Sequence, residues 1–316
     1  MTLPVQSVLL PVPAAADGAT GIPLTTIQGA RPGPTLALIA GNHGYEYPPI
    51  LALQRLRAAI DPTVLSGAVL MVHVANMPSF LGRTVYFSPV DGKNLNRVYP
   101  GRPDGTVSER IAHIITTQVI EKSDYLIDLH CGDGNESLRP YVYQTITADP
   151  AMNASIGRLA LAFGLDHILL DRNRPTDPAR SLYCSTTAIT RGKPAITIEA
   201  GFLGTTDETS VQQVVAGVQG VLRELKMLER GPLPVEKPVF LDPNAVVASP
   251  ATGILYPQVE RGQHVAEGDI LAVITDFFGE RIAEVASPLT GEVLYIVATP
   301  PISEGQPIGC VASHVT

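Results

Sequence analysis

Three short polar stretches, each directly after an apolar run, hold the residue types of hydrolytic chemistry. Residues 41–46 read GNHGYE, residues 128–134 read DLHCGDG and residues 199–201 read EAG. His43, Glu46 and His130 together offer two imidazoles and one carboxylate. That is the donor set of a catalytic zinc site, which keeps its fourth position for water. The glycines flanking His43 let the chain turn so that both side chains of the HxxE can face one point. Glu199 comes from another stretch and need not ligate; a carboxylate there could take a proton from the water and hand it on. Each piece alone also suits an ordinary polar loop, and Glu199 a helix-capping carboxylate. Their order and shared placement favour the chemical reading. Cys131, a lone cysteine at a strand end, reads as a small buried hydrophobe rather than a nucleophile.

A fourth stretch, residues 76–101, is rich in Gly and Pro and carries Arg83, Asn96 and Arg97. An Asn-Arg pair suits a carboxylate, because guanidinium binds it through two parallel bonds and the amide adds a directed donor. A solvated loop whose arginines pair with nearby acids remains the plain alternative. There is no GxSxG elbow, Walker loop, GxGxxG after a strand, or HExxH, so nucleophilic serine, phosphate-cradling and dinucleotide chemistry lack their usual signatures.

These residues need elements to position them. Residues 35–40 (TLALIA), 68–74 (AVLMVHV), 125–129 (YLIDL) and 195–198 (AITI) read as buried strands, and residues 5–10 and 23–27 open the chain as β structure. Helical spacing predicts helices over 50–60, over 108–122 with Ser108 as N-cap, near 151–163 and near 212–229. This alternation predicts an α/β domain over 1–229, a mostly parallel sheet wrapped by helices. Ligands of such sheets gather at the carboxyl ends of the strands, where the polar stretches lie. Residues 230–243 hold four prolines and read as a linker. Beyond them, over 244–316, ASPATGILY at 248–256 recurs as ASPLTGEVLY at 286–295. Two such halves resemble the barrel-sandwich hybrid of biotinyl and lipoyl carriers. No lysine follows Lys237, so the acceptor chemistry is missing, and a cap or an oligomer contact fits this unit better.

Composition narrows the class. Of 316 residues, 45% are hydrophobic and 16% charged, which excludes intrinsic disorder. The net charge of −8 argues against nucleic-acid and anionic-membrane partners. Three cysteines without CxxC spacing make no disulfide framework. The first basic residue is Arg31 and no apolar stretch is long enough for a bilayer, so a cytoplasmic protein is expected.

The motifs GNHGYE, DGKNLNRVYPG, DLHCG and AITIEAG, in this order and followed by the repeat-containing segment, resemble the succinylglutamate desuccinylase/aspartoacylase family, deacylating relatives of the zinc carboxypeptidases. Asn94, where aspartoacylases carry Asp, and the SPVDG form of the loop bring the chain closest to the bacterial N-acyl amino-acid deacetylase branch. The resemblance implies a zinc-carboxypeptidase-like mixed, mostly parallel sheet flanked by helices, plus a small all-β barrel-sandwich-hybrid-like C-terminal domain. It implies one Zn²⁺ per chain on His43, Glu46 and His130, and Glu199 as general base and acid. Asn96 and Arg97 would grip the substrate carboxylate. Arg83, farther from NLNR than the family's arginine, would polarise the scissile carbonyl. The implied substrate is a small N-acyl amino acid with an acetyl or short dicarboxylic acyl group. Further substrate-facing side chains are expected within 172–185 and in the β unit, where Tyr256 is a candidate. Asp128 could hold a ligand histidine, although its place on the strand would turn it to the opposite or flanking side. A metallo-carboxypeptidase acting on peptides and a non-catalytic binding relative are the alternatives, and a homo-oligomer is compatible with either.

Overall fold

The computed structural model describes residues 4–229, 235 and 237–315. In chain order its elements are β1 (Val5–Ala15), β2 (Gly18–Gln28), β3 (Arg31–Ala40), α1 (Tyr47–Ala59), β4 (Ser66–Val72), α2 (Met77–Gly82), α3 (Val107–Ile115), β5 (Tyr125–His130), β6 (Glu136–Leu138), β7 (Tyr141–Thr145), α4 (Pro150–Phe163), β8 (His167–Asp171), α5 (Cys184–Ile189), β9 (Ala195–Glu199) and α6 (Glu208–Glu224). They are followed by β10 (Val239–Ala248), β11 (Gly253–Pro257), β12 (His264–Val265), β13 (Ile270–Thr275), β14 (Arg281–Ala286), β15 (Gly291–Val297), β16 (Pro301–Ile302) and β17 (Pro307–His314).

One large sheet runs in the order β1-β2-β4-β3-β5-β9-β7-β8-β10-β17-β15-β12. Its centre, β4-β3-β5-β9, is parallel. Leu36, Leu38, Ile39, Leu126, Ile127, Ile196 and Ile198 on these strands are fully buried. Continuous apolar runs are what a strand covered on both faces requires. The sheet as a whole is mixed, not mostly parallel. The β1–β2 hairpin is antiparallel and joins β4 antiparallel, and β7 runs antiparallel to β9. Strands β7 and β8 lie outside the runs picked out in the sequence, because YVYQT and HILLD are too short to separate from the helices around them. Helix α6 packs on both α1 and α4, while α3 approaches β1 and β2 and α5 approaches β5 and β9. Helix α3 starts before Ser108: Thr106 is its cap, with the Thr106 N–H donating to Glu109 Oε2 at 2.9 Å. Ser108 lies inside the helix and donates instead to Asp91 Oδ1 at 2.9 Å.

Of the linker expected over 230–243, residues 230–234 and 236 lie outside the described residues. From Val239 it is strand: Val239, Phe240 and Leu241 pair in parallel with His167, Ile168 and Leu169. Pro243 falls where the β10–β17 register shifts between Leu241 and Asn244, so its missing N–H interrupts no regular pair. The main sheet thus continues without a break into β17, β15 and β12. The C-terminal segment therefore shares its larger sheet with the rest of the chain and adds a second sheet of its own, β14-β13-β11-β16. Both repeat copies keep one turn: Ser249 Oγ donates to Ala251 O and Ser287 Oγ to Leu289 O, each at 2.7 Å. The strands that follow part company, β11 entering the small sheet and β15 the large one. Leu255 and Ile274 from one sheet then pack with Val297 and Ile308 from the other.

Candidate active site

The ends of β3, β5 and β9 bring the polar stretches together. His130 ends β5 and is paired with Glu199, which ends β9. Paired residues of neighbouring strands face the same way, so both side chains emerge on one face. Beyond β3 the chain turns at Gly41, whose φ is +71°. A Cβ on Gly44 would lie 2.4 Å from the carbonyl oxygens of both Ser79 and Thr84, so only glycine fits. This tight loop carries His43 and then Glu46, which stands at the N-cap position of α1.

Glu46 Oε1 is 2.8 Å from His43 Nδ1 and 2.8 Å from His130 Nδ1, and the three donor atoms all lie within 4.8 Å of one another. Two imidazole nitrogens and a carboxylate oxygen this close are the donors and the spread that a tetrahedral zinc ion requires. The far nitrogen of each imidazole is held as well. His43 Nε2 is 3.1 Å from Asn94 Oδ1, and His130 Nε2 is 3.0 Å from Asp128 Oδ1. An acceptor on the far nitrogen keeps the proton there and turns the other lone pair inward. Asp128 and His130 are two residues apart on β5, hence on one face, so the opposite-side placement expected for Asp128 is wrong by strand parity. Asp128 also accepts from Asn42 Nδ2 at 2.9 Å.

Electrostatics follow from burial and from this crowding. Burial would raise the Glu46 carboxyl, but the imidazoles of His130 and His43 outweigh it and hold Glu46 well below the usual carboxylate range. Burial opposes charge on His130, yet Glu46 and Asp128 push its pKa up. Glu199 goes the other way: burial, reinforced by Glu46 and Glu136, raises its carboxyl against the pull of His130. Its Oε2 is buried without a hydrogen-bond partner. Burial likewise pushes Glu136 up to about 7, against the hydrogen bond that Tyr86 donates to it. The Cys131 thiol is pushed up by burial, which leaves it inert.

These groups line a cavity of about 150 Å³, together with Tyr86, Asn94, Asn96, Arg97, Asp133, Tyr141, Tyr143, Arg174, Tyr183 and Tyr295. Asn96 is committed through its oxygen: Oδ1 accepts from Cys184 N at 2.8 Å, while Nδ2, 3.1 Å from His130 Nε2, faces a nitrogen whose proton goes to Asp128 and stays free to donate elsewhere. Arg97 stacks on the Tyr183 ring at 4.6 Å, and Arg174 lies over the same ring at 4.1 Å. Two expected residues are elsewhere. Arg83, the left-handed C-cap of α2, is exposed and lines a separate groove with Tyr47, Phe80 and Thr206. Tyr256 is 47% exposed on the small sheet. The tyrosine that reaches the cavity is Tyr295, its counterpart in the second repeat copy, because β15 and not β11 lies in the main sheet, paired with β6 through Leu138. Arg174, Tyr183 and Ser185 come from the stretch in which substrate-facing residues are expected. Tyr86 and Glu136 carry no signal in the sequence, since nothing local marks a loop tyrosine or a strand glutamate as facing a cavity.

Residues 32–225 match the family model of the succinylglutamate desuccinylase/aspartoacylase catalytic domain. The N-alpha-acetyl-L-2,4-diaminobutyric acid deacetylase of Halomonas elongata is 34% identical over 292 residues, covering 89% of this chain and 83% of the relative. Among solved structures, the product-bound ectoine utilization protein EutE (DoeB) from Ruegeria pomeroyi superposes with a TM-score of 0.87 at 28% identity, covering 98% of this chain and 95% of that one. A succinylglutamate desuccinylase from Silicibacter sp. TM1040 gives 0.86 at 27% identity, with the same coverage of 98% and 95%. Motif order, a donor cluster at the strand ends and similarity along the whole chain lead to one assignment: the chain belongs to the succinylglutamate desuccinylase/aspartoacylase family of amide-hydrolysing deacylases.

Proposed function

We propose that the protein cleaves the amide bond of a small N-acyl amino acid, an N-acetyl one in the first instance, with one zinc ion held by His43, Glu46 and His130. The observation that carries this reading is the convergence of those three donors within 4.8 Å, beside the unpartnered oxygen of Glu199 on the same sheet face. A zinc ion there supplies Lewis acidity and lowers the pKa of bound water from about 15.7 to about 7.

The chain's own residues do the rest. Glu199 takes a proton from the water as its oxygen bonds to the amide carbon. It returns that proton to the nitrogen as the C–N bond breaks, so that an amine leaves and a carboxylate remains. An amine leaving unprotonated would be a very poor leaving group, and a carboxyl whose proton affinity is raised by burial suits both transfers. Asn94 and Asp128 hold the two imidazoles in register. Arg97, half of the Asn-Arg pair and a cation lining the cavity, binds the carboxylate of the amino acid, while Asn96 positions that loop against α5. Arg83 takes no part, since it lines another groove.

A diamino acid fits the charges that line the cavity: Arg97 is available to a carboxylate and Glu136 and Asp133 to an ammonium group, whereas Arg174 is already paired with Asp171. The Halomonas elongata relative supports N-acetyl-2,4-diaminobutyrate as the first substrate to assay. Tyr295, reaching in from the C-terminal segment, narrows the crevice and favours a small substrate over a peptide. Zinc-loaded protein should release amine from N-acetyl-2,4-diaminobutyrate faster than from its succinyl analogue or from acetylated peptides. Absence of amine from the whole panel, or undiminished turnover after chelation, would overturn the proposal.

A further inference from the structure

We propose a second transition-metal site, structural and distinct from the catalytic cluster, at His167, Glu292 and His314. Strand register assembles it. His264 on β12 is paired with Glu292 on β15, and Glu292 with Ala312 on β17. His314 lies two residues beyond Ala312 and is paired with Leu241 on β10. Leu241 is paired with Leu169 on β8, two residues beyond His167. With a side-chain period of two, all three histidines and the glutamate share one face of the sheet. They stand where it passes from β8, in the first part of the chain, into the C-terminal segment.

The local geometry repeats that of His43, Glu46 and His130. There, two imidazole nitrogens converge on one carboxylate oxygen. Here His167 Nε2 is 3.1 Å and His314 Nε2 3.2 Å from the same Glu292 Oε2, and the three donor atoms lie within 4.8 Å of one another. There, Asp128 holds the far nitrogen of His130. Here Asp166 Oδ1 stands 2.9 Å from His167 Nδ1; with the proton on Nδ1 the lone pair of Nε2 faces inward, and Arg139 Nη2, 3.0 Å from the same nitrogen, donates to Asp166 Oδ2 instead. His314 remains open to solvent, which gives an ion a way in. The His264 ring lies 6.3 Å from that of His314, close enough to provide a fourth donor after a rotamer change.

Arg139 is a cation beside the cluster. Its Nε is 2.9 Å from Glu292 Oε1, and its Nη2 is 3.1 Å from Asp166 Oδ2 and 3.0 Å from His167 Nδ1. Its charge therefore sits beside the outer oxygen of Glu292, and Oε2 is left to the histidines. Two carboxylates against one guanidinium leave a net charge of −1 when the imidazoles are neutral, which attracts a divalent cation. Imidazole and carboxylate donors select Zn²⁺, Ni²⁺, Cu²⁺ or Co²⁺ over the all-oxygen ions Ca²⁺ and Mg²⁺. A bound ion would tie β8 to β15 and β17. Tyr295, three residues beyond Glu292 on β15, would thereby be fixed over the catalytic cavity. The competing arrangement is a set of protonated imidazoles paired with Glu292, which binds no metal.

Zinc per chain, measured by elemental analysis after loading and dialysis of the full chain, separates the two. Wild type should retain two equivalents, H314A one, and H43A/H130A one. H314A should keep its deacylation rate within about twofold. Because H43A/H130A removes the catalytic cluster, its remaining equivalent is read independently of any activity, and failure of the deacylase reading would not mimic failure here. In that same variant one equivalent of Co²⁺ should give the visible bands of a site with nitrogen ligands, and adding H314A or E292Q should abolish them. No zinc in H43A/H130A, or zinc in both H314A and E292Q undiminished from the wild-type level, would overturn the proposal.

Discussion

Replacing Glu199 by Gln removes the proposed proton carrier while keeping its shape. Because Glu199 Oε2 has no hydrogen-bond partner, the amide group of Gln breaks no bond of the native site. A positioned acid-base group typically contributes about 10²–10⁴ in rate, so kcat should fall by about that factor, or about 3–5 kcal/mol of barrier. Zinc content should stay at the wild-type level, since Glu199 is not among the three converging donors. Stability should move the other way. Burial, with Glu46 and Glu136, holds the Glu199 pKa in the folded chain well above the ordinary 4.5. A carboxyl with a raised pKa contributes stability that is complete below pH 4.5 and is lost as pH rises through its folded value. In chelated protein the wild type should therefore lose ground to E199Q as pH rises above about 5, by at most about 1.4 kcal/mol per pH unit for one proton. Amine release, elemental analysis and denaturant midpoints from pH 5 to 8 measure the three effects. Turnover within threefold of wild type would refute the assignment. A loss of turnover accompanied by loss of zinc would refute the division of labour between ligands and base.

Asp128→Asn keeps the side-chain shape but weakens the hold on His130 Nε2, and zinc affinity should drop about 10–100-fold in competition with a chelator. Gly44→Ala places a methyl 2.4 Å from two backbone carbonyl oxygens; the denaturant midpoint should fall by the equivalent of about 1–3 kcal/mol, with zinc lost because the displaced loop carries His43 and Glu46. Arg97→Ala should raise KM for carboxylate-bearing substrates at least tenfold while Arg83→Ala leaves it within twofold, as only the first lines the cavity; equal effects would put both residues in one role. Tyr295→Ala should open the crevice and raise the relative rate on acetylated peptides, whereas Tyr256→Ala should leave the substrate profile unchanged, because its side chain is exposed on the small sheet.

Much of the site lies close to the surface of the sequence. Polar triplets after apolar strands are local patterns, and parallel strands deliver their carboxyl ends to one edge. The ends of β3, β5 and β9 could thus be brought together on paper, and with them His43, Glu46, His130 and Glu199. What the sequence does not carry is whatever depends on direction within a loop or on a choice between like segments. Arg83 and Arg97 come from one Gly/Pro-rich stretch that turns through left-handed Arg83 and Tyr86, and Arg83 lines another groove. Asp128 was a matter of counting: two residues along a strand restore the same face.

By itself, then, the amino-acid sequence determined the class of the protein, the order of its chemistry-bearing motifs and the presence of a repeated β unit, because periodicity and residue type act over a few neighbours. Only the tertiary structure decided which copy of the repeat enters the main sheet, and hence that Tyr295 and not Tyr256 reaches the cavity. It also decided that the Pro-rich stretch becomes strand from Val239 and carries one sheet through both parts of the chain. The meeting of His167, Glu292 and His314, 125 and 22 residues apart, rests on the same pairings. Pairing between distant strands is settled by the burial of whole faces, and no short window of residues contains that information.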